Sequence, residues 1–146
     1  MDAKKPFRLQ AVLRYRQRVE TRLTQELARL VHAIDEAESS HRQQRQWWEE
    51  GLHTLGARQQ SGLSATELFV HSTFLQRLSG EMAQQVQVVA AFRESAAQVR
   101  QRLEQAMRDR KILENLQEKA RMQQRKVALQ QEARTLAEIA LRRFVS

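Results

Sequence analysis

The sequence predicts an all-α protein, a long antiparallel two-helix coiled coil (a helical hairpin) whose second helix is longer than its first. Three observations lead there. The 146 residues include one proline and four glycines, so little interrupts a helix. Apolar residues recur at three- and four-residue steps over most of the chain, and a single short break divides that pattern in two. Charged residues make up 29% and aromatics 5%, too few large apolar groups for a round core. Chains of this kind, rich in Ala, Glu, Leu, Arg and Gln, read as long helices. A polar, charged chain can also be disordered, but the regular apolar repeat argues against that.

The first series starts near Phe7, and Pro6 suits the first turn, where its missing N–H costs nothing. Leu9, Val12 or Leu13, Val19, Leu23, Leu27, Leu30, Ile34 and Ala37 follow. His41 and Gln44 then hold seam positions, and Trp48, Leu52 and Leu55 resume the stripe. This spacing sets one helical face against a partner. Val19, Leu23 and Leu27 make two successive steps of four, a slip from strict heptads at which supercoiling is expected to relax. The break follows, with Gly56 and Gly62 bracketing a stretch that has no apolar period. Beyond it, Ser64 can cap a new helix with Glu67 three residues on, while Leu63 and Leu68 can form a hydrophobic staple. The expected bounds are a single coiled-coil domain over 1–146, with helix one at about 7–57, a loop at about 58–64 and helix two at about 65–144.

The second series is cleaner. Leu75, Leu78, Met82, Val89, Phe92, Ala96, Val99, Leu103 and Ala106 alternate steps of three and four, with Gln85 the polar member. Leu113, Leu116, Ala120, Val127, Leu136, Ala140 and Phe144 continue less strictly. Gly80 falls outside the seam and weakens the helix by roughly 1 kcal/mol relative to alanine. Two long amphipathic helices around a short break make an antiparallel hairpin the default. Folding about residue 60 sets Leu9 beside residues near 112, and the second helix overshoots by about 30 residues. That overhang either frays or binds something, since a lone helix is marginal in water.

Charge separates the chain. Residues 1–22 carry a net +5, residues 100–146 a net +6, and residues 23–99 a net −3. In a hairpin the first two lie together, so the open end is basic and the closed end mildly acidic. The basic end can enter an acidic cleft or meet phosphates; it is equally the arginine-biased surface of a solvated coiled coil. Stacking on bases needs aromatics among the cations, and here only Phe7, Tyr15 and Phe144 are near. At the other end Trp48 fits the seam, which turns Trp47 towards the flank. Trp47 is then a contact residue or a cover for the loop region. The seam cannot take all of Leu68, Phe69, Val70, Phe74, Leu75 and Leu78, so an exposed apolar patch is expected near the closed end, and such patches usually mark an interface.

Several functions find no support. Without cysteine there is no disulfide, thiolate catalysis or Cys-based zinc site. His32, His41, His53 and His71 form no helical metal motif, and the glycines form no phosphate loop. Glu49 and Glu50 lie on a solvated helix with no cleft. No catalytic, metal or cofactor-binding residues are expected, and no enzymatic activity. The start MDAKKPFRLQ lacks the apolar core of a signal peptide, and the run Val86–Phe92 is far too short to span a membrane. The expectation is a soluble or at most peripheral protein.

The residues also carry a resemblance. Phe7-Arg8-Leu9-Gln10, Val12-Leu13, Tyr15-Arg16 and Glu20 resemble the start of the flagellar export protein FliJ family. Gly62-Leu63-Ser64-Ala65 with Glu67-Leu68 resembles its centre. Arg110-Lys111, Leu113-Glu114, Leu116, Glu118-Lys119, Glu138-Ile139-Ala140 and Arg143-Phe144 resemble its end. The resemblance implies a non-enzymatic, stalk-like antiparallel coiled coil of the flagellar type III export apparatus. It implies partners: the hexameric export ATPase, the cytoplasmic domain of the export-gate membrane protein, and export chaperones that it escorts or recycles. It also implies a cytoplasmic location, at the inner face of the inner membrane through that apparatus. No small-molecule substrate or cofactor is implied. The family's gate-contacting stretch aligns with Phe74, Leu75, Leu78 and Met82. The basic open end, with Arg8, Arg14, Arg110, Lys111, Lys119 and Arg121, is assigned to the ATPase ring. The stalk protein of virulence secretion systems shares this shape, and a basic coiled coil that binds nucleic acid is the alternative from another class.

Overall fold

A computed structural model describes residues 8–145; Pro6 and Phe7, expected at the helix start, lie outside the described residues. Two helices make up the described chain, α1 (Gln10–Ser61) and α2 (Ala65–Val145). The fold is the expected all-α helical hairpin with the longer helix second.

Helix α1 runs to Ser61, past the expected end near 57. Gly56 stays helical, and the stop comes at Gly62, whose φ of 97° is the left-handed conformation that glycine adopts without steric cost. The Ser61 hydroxyl donates back to the Arg58 carbonyl at 3.1 Å. The connection is therefore only residues 62–64. Ser64 caps α2: its Oγ accepts from the Glu67 backbone N–H at 3.2 Å, and its carbonyl accepts from the Leu68 N–H. The Glu67 carboxylate faces Arg58 across the connection at 3.8 Å.

The described chain divides into two compact units rather than one. A two-helix protein has only neighbouring turns to pack against, so no single core gathers the whole chain. The first unit is Leu23–Gln101, containing the connection. Its core is Leu30, Ala96 and Val99, with Leu23, Leu27, Ile34 and Phe92 packed around them. Covering each leucine, valine, isoleucine or phenylalanine of this cluster contributes about 1.5–3 kcal/mol. The seam on α1 continues through Ala37, His41, Gln44, Trp48, Gly51 and Leu55, all buried or half-buried. Leu52, expected on the seam, is exposed, because the step of three from Trp48 reaches Gly51. A Cβ at that glycine would stand 2.8 Å from Leu75 Cδ2, so the leucine would have to shift.

The second unit comprises the described residues up to Arg22 and from Arg102 onward. Leu13 and Ala106 are its buried apolar residues. Between Leu13 and Leu23 the burial rhythm passes through Arg16 and Glu20. Val19, where a slip is expected, is half-buried too, so apolar and charged side chains share this stretch of the seam. Gln117 Nε2 donates to Gln10 Oε1 at 2.7 Å, which sets the start of α1 beside residue 117 rather than 112. The shorter connection moves the folding point towards the C-terminus. Every described residue from Arg121 to Val145 is exposed, 25 residues against the roughly 30 expected.

Candidate functional site

Two surfaces stand out, one on each unit. On Leu23–Gln101, helical geometry separates neighbours in sequence by about 100°. Trp48 therefore points into the seam while Trp47 is half exposed. The same rule sorts the start of α2. Leu75 and Leu78 are 8% and 4% exposed, so they hold α1 and present nothing to a partner. Met82 is half-buried beside them. This corrects the assignment of Leu75 and Leu78 to a docking surface: the seam's three-residue step claims both. Phe74, 51% exposed, remains available. Leu68, Phe69 and Val70 are exposed too, with Phe69 at 71%. The sequence reading anticipated surplus apolar groups here; of the four residues it named, Phe74 is exposed while Leu75 and Leu78 are buried. The helical wheel carries the signal that Phe69 and Phe74 lie off the seam.

The second unit is basic, with eighteen Lys/Arg against eight Asp/Glu in sequence, whereas Leu23–Gln101 has seven against nine. Its cations do two different things. Arg16 pairs with Asp109 at 3.3 Å, and Gln105 Nε2 also donates to Asp109, at 3.0 Å. Arg110 donates to Glu20 across the seam and to Glu114 one turn along its own helix at 2.8 Å. Hydrogen bonds first to Glu20 and then to Glu114 push the Arg110 guanidinium above its ordinary range, so it stays charged at any working pH. Arg110 is therefore a seam residue, and its place in the ATPase-ring set is corrected. Arg8, Arg14, Lys111, Lys119 and Arg121 are all exposed.

Among the described residues no cluster of His, Asp and Glu could hold a metal ion. No helix among them is long and apolar enough to cross a membrane. Glu49 accepts from Arg45 and Glu50 from Gln46, each at 3.3 Å on an exposed surface. What the chain offers other molecules is the outside of a helical hairpin: exposed aromatic and apolar side chains on one unit and an excess of exposed cations on the other. The model of the flagellar FliJ protein family matches residues 4–146, and the chain belongs to that family. It is accordingly a component of the flagellar protein export apparatus. No curated protein and no solved structure matches it.

Proposed function

We propose that the chain is a stalk-like connector of the flagellar export apparatus. It binds the hexameric export ATPase through the basic unit and the export gate's cytoplasmic domain through exposed aromatic side chains of the other unit. It carries no reaction of its own; ATP hydrolysis belongs to the ATPase. In this reading it sits at the cytoplasmic face of the inner membrane and also meets export chaperones. The observation that carries the reading is the unequal chemistry of the two units. Exposed Arg8, Arg14, Lys111, Lys119 and Arg121 belong to one, and exposed Trp47, Phe69 and Phe74 to the other. Exposed cations steer association with an acidic cleft, and exposed aromatics supply binding energy once covered.

Reversing charge at Arg14, Lys111 and Lys119 is expected to weaken ATPase-ring binding by about tenfold or more, with gate binding kept. Phe69→Ala with Phe74→Ala is expected to do the opposite. Surface plasmon resonance against each partner reads both. Loss of gate binding alone in the charge-reversed variant would overturn the assignment. Arg110 is left out because its substitution would disturb the seam.

A further inference from the structure

Beyond Ala120, helix α2 carries large apolar groups on a second face as well. Extending the seam's steps of three and four from Gln117 and Ala120 leads to Gln124, Val127, Gln131, Arg134, Glu138, Leu141 and Val145, a row that mixes polar and apolar members. A second apolar set lies off that row. Met122, Leu129 and Leu136 recur every seven residues, and each is more than half exposed. A two-residue offset turns this stripe by about 200° from the seam, so it does not continue the face that meets α1. The structure gathers Met122, Arg125, Lys126, Leu129 and Ala133 around one open depression, so they share a face. Arg125 and Lys126 flank the stripe on opposite sides.

Charge selects among occupants. Residues 121–145 carry six Lys/Arg against two Asp/Glu. A second copy would set two positive helices side by side, which is repulsive. A nucleic acid would neutralise the cations but leave the stripe in water, and the segment has a single aromatic, Phe144, to stack on bases. A basic helix with an apolar stripe bordered by long cationic side chains matches an anionic lipid surface. The stripe enters the acyl boundary while the flanking cations reach headgroup phosphates. We propose that residues 122–145 lie along an anionic phospholipid surface through the Met122–Leu129–Leu136 face.

The test is sedimentation of the full chain with phosphatidylcholine vesicles, with and without phosphatidylglycerol, at low and physiological salt. Binding that needs phosphatidylglycerol is expected. Leu129→Gln with Leu136→Gln, which leaves charge unchanged, is expected to weaken it about tenfold or more. Val127→Gln with Leu141→Gln removes similar groups on the seam side and is expected to change it less than about threefold. Circular dichroism confirms that both variants stay helical. Arg125→Gln with Lys126→Gln is expected to weaken binding and flatten its salt dependence. The proposal is overturned if the unaltered chain ignores anionic vesicles, or if the two apolar pairs respond alike. It is also overturned if Leu129→Gln with Leu136→Gln abolishes ATPase-ring binding and spares vesicle binding, because the stripe would then be a protein-docking face. The cation reversals at Arg14, Lys111 and Lys119 test the ATPase reading separately.

Discussion

Gly51 and Gly80 make a matched experiment. Both lie inside long helices, and among the described residues Gly62 is the glycine with positive φ. In a helix interior alanine is favoured over glycine by about 1 kcal/mol. At Gly80 nothing lies within 4 Å of where the new methyl would stand. Gly80→Ala is therefore expected to stabilise the protein by about 1 kcal/mol. At Gly51 the methyl would stand 2.8 Å from Leu75 Cδ2 and 3.8 Å from Phe74 Cε1. Leu75 is covered, so its side chain has to move within a packed site, and overpacking of that kind costs about 1–3 kcal/mol. The net result for Gly51→Ala runs from roughly no change to a loss of about 2 kcal/mol. Urea unfolding followed by circular dichroism measures both variants, and an unchanged m value would show that the denatured state is unaffected. A third variant isolates the contact. In a Leu75→Ala background, already weakened by about 2–5 kcal/mol, Gly51→Ala is expected to recover its helix-propensity gain of about 1 kcal/mol. If Gly51→Ala stabilises the unaltered chain as much as Gly80→Ala does, the close approach of Leu75 is not what selects glycine at this position.

Two further predictions concern the connection and the charged seam. Gly62→Ala forces a side chain into a left-handed conformation and is expected to cost about 1–2 kcal/mol, read as a lower midpoint in thermal unfolding. Arg110→Ala takes from Glu20 its cross-seam partner. Amide exchange is expected to speed up in Gln10–Arg22 and to change little in Leu23–Ser61, and uniform acceleration along α1 would refute that localisation.

The legible part of this fold was the part carried by large apolar groups. Leu30, Ala96 and Val99 announced the core of Leu23–Gln101 because each falls on an unbroken alternation of three and four. The cap at Ser64 was legible because its partner must stand three residues on. What the sequence hid was the seam where it is not apolar. Arg16, Glu20 and Arg110 keep the heptad rhythm. A reading that follows hydrophobicity goes to Val19, which is half-buried, and passes over the charged side chains covered beside it. Gly51 was hidden for the opposite reason: it occupies a seam position with no side chain at all. Leu75 and Leu78 were legible twice over, as members of the apolar series of α2 and as part of the surplus at its start, and the helical wheel separates them from Phe69 and Phe74. Arg110 could not be told from Lys111 by charge. Its partner Glu20 lies 90 residues away in sequence.

Polar side chains in the basic unit make its seam weaker than an all-leucine one, but they also forbid misalignment. A one-heptad slip of α2 in one direction would bring Leu103 opposite Glu20 and replace Asp109 beside Arg16 with Arg102, setting two cations together. The opposite slip would put Gln117 against Glu20 and Leu116 against Arg16. Either way both ion pairs are lost and half-covered charges stand against groups that cannot balance them, a penalty that apolar layers of interchangeable leucines would not impose. The hairpin thus has one favoured alignment, which fixes how many residues of α2 extend past the start of α1. The length of that extension is encoded by four charged side chains, Arg16, Glu20, Asp109 and Arg110, rather than by the extension itself.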